Sequence, residues 1–177
     1  MCDINHRKED MIKNNSIKSK RGFTIIEVVL VLAIAGLIFL MVFVALPSLQ
    51  RSQRDTQRRN DMARFASQLA QYQANNNGNI PTSKNAFNTF ITNYLRVGGD
   101  TFADPSGKNY TVNKYTTCKS GSGNCAQQST ATDTDNGYIN IYVNATCDGE
   151  NPKYSQGTKK IAFTYKLEGA GIYCGHN

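Results

Sequence analysis

Histidine is nearly missing from this chain. There are two, His6 and His176, and only His176 lies beyond the first 22 residues. That scarcity argues against a Ser-His or Cys-His nucleophile, which needs an imidazole beside it. It argues against zinc as well, because Cys118 and Cys125 are spaced C-x6-C and His176 is the single histidine of that half. No carboxylate pair stands out for acid–base work. No nucleotide-binding motif and no internal repeat are present. An enzyme is therefore not expected.

Apolar residues are thinly spread except in one place. Phe23 to Leu46 reads FTIIEVVLVLAIAGLIFLMVFVAL, 24 residues with a single charge. As a helix it would be about 36 Å long, enough to cross a hydrocarbon core of about 30 Å with some tilt. A secretory signal peptide would have a shorter apolar core and a small-x-small cut site. Residues 1–22 are polar and carry six Lys/Arg against three acids. They read as a cytoplasmic leader without apolar periodicity.

Pro47 follows the apolar run and is expected to kink the helix. A helical stripe then resumes, with Leu49, Met62, Phe65, Ala66, Leu69 and Tyr72 on one face. Asn75-Asn76-Asn77-Gly78 supplies a helix stop. A short amphipathic helix is expected from Asn85 to Leu95. Beyond it the period changes: Tyr110–Tyr115, Tyr138–Val143 and Lys160–Leu167 alternate apolar and polar residues and read as antiparallel strands, with Ile172–Cys174 as a short edge strand. The segment from Cys118 to Gly137 reads as a disulfide-tied surface excursion.

The fold class expected from this pattern is α+β: a long N-terminal helix, part transmembrane and part amphipathic, packed on a small antiparallel sheet. Its divisions are a leader at 1–22, a membrane or assembly helix at 23–46, an amphipathic half-helix at 47–77, and a globular head at 78–177.

Four of the five cysteines, Cys118, Cys125, Cys147 and Cys174, fall in that head, which points to two disulfides and an oxidising compartment. Three pairings are open, and Cys118–Cys125 with Cys147–Cys174 is the favoured one. Asp133 and Asp135 precede Asn136-Gly137 and read as a turn, with a calcium loop as the weaker alternative, since the position for a closing Glu is Asn144. The formal charge is +7. Arg51, Arg54, Arg58, Arg59 and Arg64 form its densest cluster, read as a solvated or juxtamembrane face, with DNA or lipid headgroups as other partners.

The residue that calls for explanation is Glu27. A carboxylate within a membrane helix costs up to about 3 kcal/mol and marks a functional position by default. It needs a cation. A cut after Gly22 would give Phe23 a free amine one helical turn from Glu27, on the same chain or a neighbour's.

The run Lys20-Arg21-Gly22-Phe23-Thr24-Ile25-Ile26-Glu27, followed by the apolar helix, resembles the class III signal of type IV prepilins and pseudopilins. The resemblance covers roughly residues 20–60. It implies cleavage after Gly22 by a prepilin peptidase, N-methylation of Phe23, and assembly through Thr24 and Glu27. It implies a single-pass precursor in the cytoplasmic membrane, an assembly platform with its ATPase, and a homo-oligomeric surface filament. That filament would serve adhesion, twitching motility or DNA uptake, touching DNA or a host-cell surface. The alternatives are a secretion pseudopilin or a minor pilin and, more remotely, a membrane-anchored extracellular binding domain. The leader is longer than in many relatives, and Pro47 lies later than their kinking proline. Lys/Arg counts flanking the span are nearly balanced, so orientation rests on the resemblance and the cysteines.

Overall fold

The computed structural model describes residues 22–121, 125, 137–157, 159–169 and 171–177. The chain divides into two units, Met1–Phe43 and Val44–Asn177.

Helix α1 runs from Ile25 to Asn75 and contains Pro47 within its span. Proline thus does not end the helix. In the first unit its side chains are almost all exposed: Ile25, Leu32 and Phe39 each keep at least 65% of their surface. It is the one helix among the described residues long and apolar enough to cross a membrane. Such a surface is stable only in lipid or against other apolar helices.

The second unit is built on the rest of α1. Met62, Phe65 and Leu69 are fully buried, and Phe65 meets the Phe163 ring edge-on at 4.9 Å. Leu49, expected on the same stripe, is 56% exposed. The register explains the difference: Leu49 lies 13 residues before Met62, about 140° out of phase at about 100° per residue. Arg58 takes the in-phase position instead and is buried. The helix stops where Asn77 and Gly78 take positive φ and Gly78 N donates to Gln73 O at 2.7 Å.

Helix α2, Lys84–Phe90, is capped by Ser83, whose hydroxyl accepts from Ala86 N at 3.1 Å. It continues as a π-helical turn, Ile91–Leu95. Six strands follow: β1 Thr111–Thr117, β2 Tyr138–Val143, β3 Ala145–Asp148, β4 Asn151–Tyr154, β5 Ile161–Lys166 and β6 Ile172–His176. The main sheet has the order β1-β2-β5-β6, and β3-β4 form a separate hairpin.

The expectation of a wholly antiparallel sheet needs correction. β2–β5 and β5–β6 are antiparallel, but β1 and β2 are parallel. A parallel neighbour requires a crossover of a dozen or more residues. The stretch between Thr117 and Tyr138, read from sequence as a surface excursion, has that length. The β3–β4 hairpin was not expected either. Asn144, at φ +59°, turns the chain out of β2 into β3, a left-handed conformation asparagine tolerates better than most residues.

Candidate assembly site and its supporting ion-pair network

Gly22, Phe23 and Thr24 precede α1, which begins at Ile25. Thr24 occupies the N-cap position and Glu27 the third helical position. Glu27 N donates to Thr24 Oγ1 at 3.3 Å, while Thr24 N and Thr24 Oγ1 both approach Glu27 Oε2 at 3.4 Å. The two side chains therefore close a capping box, each satisfying a backbone donor the helix start leaves open. A carboxylate in the first turn also faces the positive end of the helix dipole. The spacing Thr-x-x-Glu was the available sequence signal for this box. It was masked by the reading of Glu27 as a charge awaiting an amine.

Phe23 is 85% exposed, and a side chain at Gly22 would meet nothing within 4 Å. Among the described residues, no packing contact demands glycine there.

The arginine cluster is not one uniform solvated face. Arg58 is fully buried and holds three acids. Its Nε and Nη2 donate to the two oxygens of Asp104 at 2.6 and 3.0 Å, and its Nη1 donates to Asp55 at 2.8 Å and to Glu168 at 3.0 Å. Arg54 grips Glu168 through two nitrogens at 2.8 and 2.6 Å. Asp55 in turn accepts from Glu168 N and Gly169 N, at 2.9 and 2.8 Å, which ties the β5–β6 turn to α1. Tyr165 OH donates to Asp104 and accepts from Gly137 N. Arg64 pairs with Asp100 and lies over the Phe102 ring at 5.7 Å. Arg51 and Arg59 stay exposed.

This network sets the local ionisation. Burial raises the Asp104 carboxyl, but hydrogen bonds from Arg58, Ser106 and Tyr165 outweigh it and hold the group well below the carboxylate range. At Asp55, burial is likewise overcome by the amides of Glu168 and Gly169 and by Arg58. The Arg54 and Arg58 hydrogen bonds bring Glu168 down to about 2. Burial moves Asp61 the other way, upward, although it accepts from Tyr110 OH at 3.0 Å.

Cys118 is bonded to Cys125, and Cys147 to Cys174. The second bond joins β3 of the hairpin to β6 of the main sheet. Asp133 and Asp135 lie outside the described residues, as do residues 1–21 of the leader.

No curated protein and no solved structure matches the chain. Residues 17–43 match the family model described as the prokaryotic N-terminal methylation motif. That motif is the type IV prepilin signature, so the chain carries a type IV pilin-like or pseudopilin signal which, with the apolar helix it opens, marks a membrane-anchored precursor bound for a surface filament.

Proposed function

We propose that this chain is a structural subunit of a type IV pilus or pilus-like surface filament, cut after Gly22 and assembled through its N-terminal helix. The observation that carries the reading is the coincidence of three features. The methylation motif covers residues 17–43. The apolar helix beginning at Ile25 is exposed along almost all of its first unit. A single carboxylate, Glu27, stands in its first turn.

The physical sequence is as follows. In the membrane, lipid covers the apolar face of α1, and hydrogen bonding inside the helix satisfies its backbone. A prepilin peptidase removes residues 1–22 and leaves the Phe23 amine, which is then methylated. Helices leave the bilayer and exchange lipid contacts for packing against one another, driven by an assembly platform and its ATPase. Glu27 then meets a Phe23 amine, and in a low-dielectric bundle that pairing fixes axial register, because an unmatched charge there is costly. The amphipathic part of the helix, 47–77, carries the head, 78–177, whose outer surface would serve adhesion, motility or DNA uptake.

The role is structural and asks for no cofactor; calcium at Asp133 and Asp135 would be an addition to it. A secretion pseudopilin or a minor pilin would share the same N-terminal chemistry, and mass spectrometry of purified filaments separates them by abundance. The direct test is N-terminal sequencing of the surface-shed protein. A methylated Phe23 at the first position is the expected result, and any other start overturns the reading.

A further inference from the structure

Two members of the arginine cluster are left over. Arg54 and Arg58 are held by Asp55, Asp104 and Glu168, and Arg64 by Asp100. Arg51 and Arg59 are exposed and have no ion-pair partner among the described residues. They are eight residues apart, with Asp55 midway, so all three follow one face of α1.

That face lines an open groove of about 560 Å³, completed by Leu167 and Gly169 of the turn that Asp55 pins in place. Asp55 does not close the groove to anions. One of its oxygens accepts from Arg58 and Glu168 N, the other from Gly169 N. The network holds three acids against two arginines, and Arg51 with Arg59 more than offset the surplus carboxylate. Ser48 and Ser52, on either side of Arg51 in sequence, also line the groove.

The lining also changes character along the helix. Val44 and Pro47 are apolar, and the residues from Ser48 onward are polar. The change falls where the 24-residue apolar run ends, at Leu46. At 1.5 Å per residue Arg51 stands about 7.5 Å beyond that end, at the depth of a headgroup layer some 5–8 Å thick. Arg59 lies about 12 Å further along the helix, beyond that layer, and its long stem, tilted toward the helix N-terminus, spans part of the distance back along the groove.

We propose that this groove binds the phosphate of an anionic phospholipid headgroup, with Arg51 and Arg59 as its cationic side, and so sets the depth at which the precursor rests before assembly. Nucleic acid fits less well. Duplex binding rests on many phosphate contacts along an extended basic surface, and the ion-pair network has removed three of the five arginines from any such stripe. The proposal rests on the membrane-anchored precursor and not on which filament it builds.

The test is native mass spectrometry of the full chain released from detergent, as wild type and as the double variant Arg51→Gln/Arg59→Gln. The ligands are phosphatidylglycerol, phosphatidylcholine, inorganic phosphate and a short DNA duplex. Both side chains are exposed and unpaired among the described residues, so the variant should melt as the wild type does. Wild type should retain phosphatidylglycerol over phosphatidylcholine. The variant should bind it roughly 25-fold more weakly, about five-fold for each arginine near an anionic surface. Equal retention by the variant overturns the proposal. So does displacement of the lipid by equimolar inorganic phosphate, which would indicate a free-anion site, or variant-sensitive DNA binding without lipid preference. Cleavage after Gly22 and filament yield report on the proposed function separately.

Discussion

Arg58 and Asp104 form a two-pronged ion pair, at 2.6 and 3.0 Å, in which neither side chain has any exposed surface. A guanidinium and a carboxylate match in this planar geometry, and each satisfies the other where water is absent. Removing one partner leaves the other charged and buried. Arg58→Met should therefore lower the stability of the second unit by about 3–5 kcal/mol. Arg54→Gln breaks a partly exposed, solvent-screened pair and should cost far less. Urea unfolding of both variants checks the ranking; equal losses would contradict the burial argument.

The same network makes stability depend on acid. Asp104, Asp55 and Glu168 bind protons less tightly in the fold than as ordinary carboxylates, Glu168 moving from 4.5 to about 2. The unfolded chain then binds more protons, so their contribution is present above the unfolded pKa and lost as pH falls through the folded one. Asp61, raised by burial, has the opposite sign and offsets part of the loss. The urea midpoint should hold steady down to about pH 5 and fall between about 4.5 and 2. A midpoint that is flat to pH 2.5 would show that these pairs contribute nothing.

Gly175 faces Phe163 across β5–β6, and a Cβ at that position would overlap the ring. Phe163 is fully buried against Phe65, so the ring has little room to move. Gly175→Ala should destabilise by about 1–3 kcal/mol through overpacking. Thermal melting measures it. A variant as stable as wild type would mean that the sheet absorbs the methyl.

What was legible in the sequence followed periodicity and local chemistry. Tyr138–Val143, rich in Tyr, Ile and Val, is the observed β2, its burial alternating over the first four residues and continuous over the rest, and the stripe through Met62, Phe65 and Leu69 is buried. Pairing partners were not legible, because alternation places a strand on a face without saying which way its neighbour runs. The hairpin β3–β4 was hidden by its brevity and by Pro152, which an edge strand admits. Arg58 was hidden by its charge. Its register marks it as inward-facing, but Asp104 and Glu168 are 46 and 110 residues away in sequence, so a local pattern gives no sign of their company. At the candidate site, Gly22, Phe23 and Glu27 stood out because a basic stretch, an apolar run and a carboxylate meet there. The capping role of Thr24 required the helix start itself.

Gly22 offers a separation of folding from processing. A side chain there meets nothing within 4 Å among the described residues, so Gly22→Leu should leave the unfolding transition unchanged. Full-length precursor should nevertheless accumulate in the membrane, because a bulky residue would block the peptidase. Immunoblotting of membrane fractions distinguishes the 22-residue difference. Product of mature size would place the cut elsewhere.

Glu27 has two duties that can be told apart. As a capping residue it needs only an oxygen that accepts from Thr24 N, now at 3.4 Å. As an assembly residue it needs a negative charge to meet an amine. Glu27→Gln keeps the acceptor and removes the charge, since glutamine also completes a capping box; Glu27→Ala removes both. If charge pairing sets the register, both variants should be processed normally, and both should lose most of their filaments. Loss confined to Glu27→Ala, with wild-type yield from Glu27→Gln, would instead assign the residue to the helix start alone. The amine of Phe23 would then need another partner. Electron microscopy of sheared surface fractions, beside a processing blot of the same cells, reads both arms in one experiment.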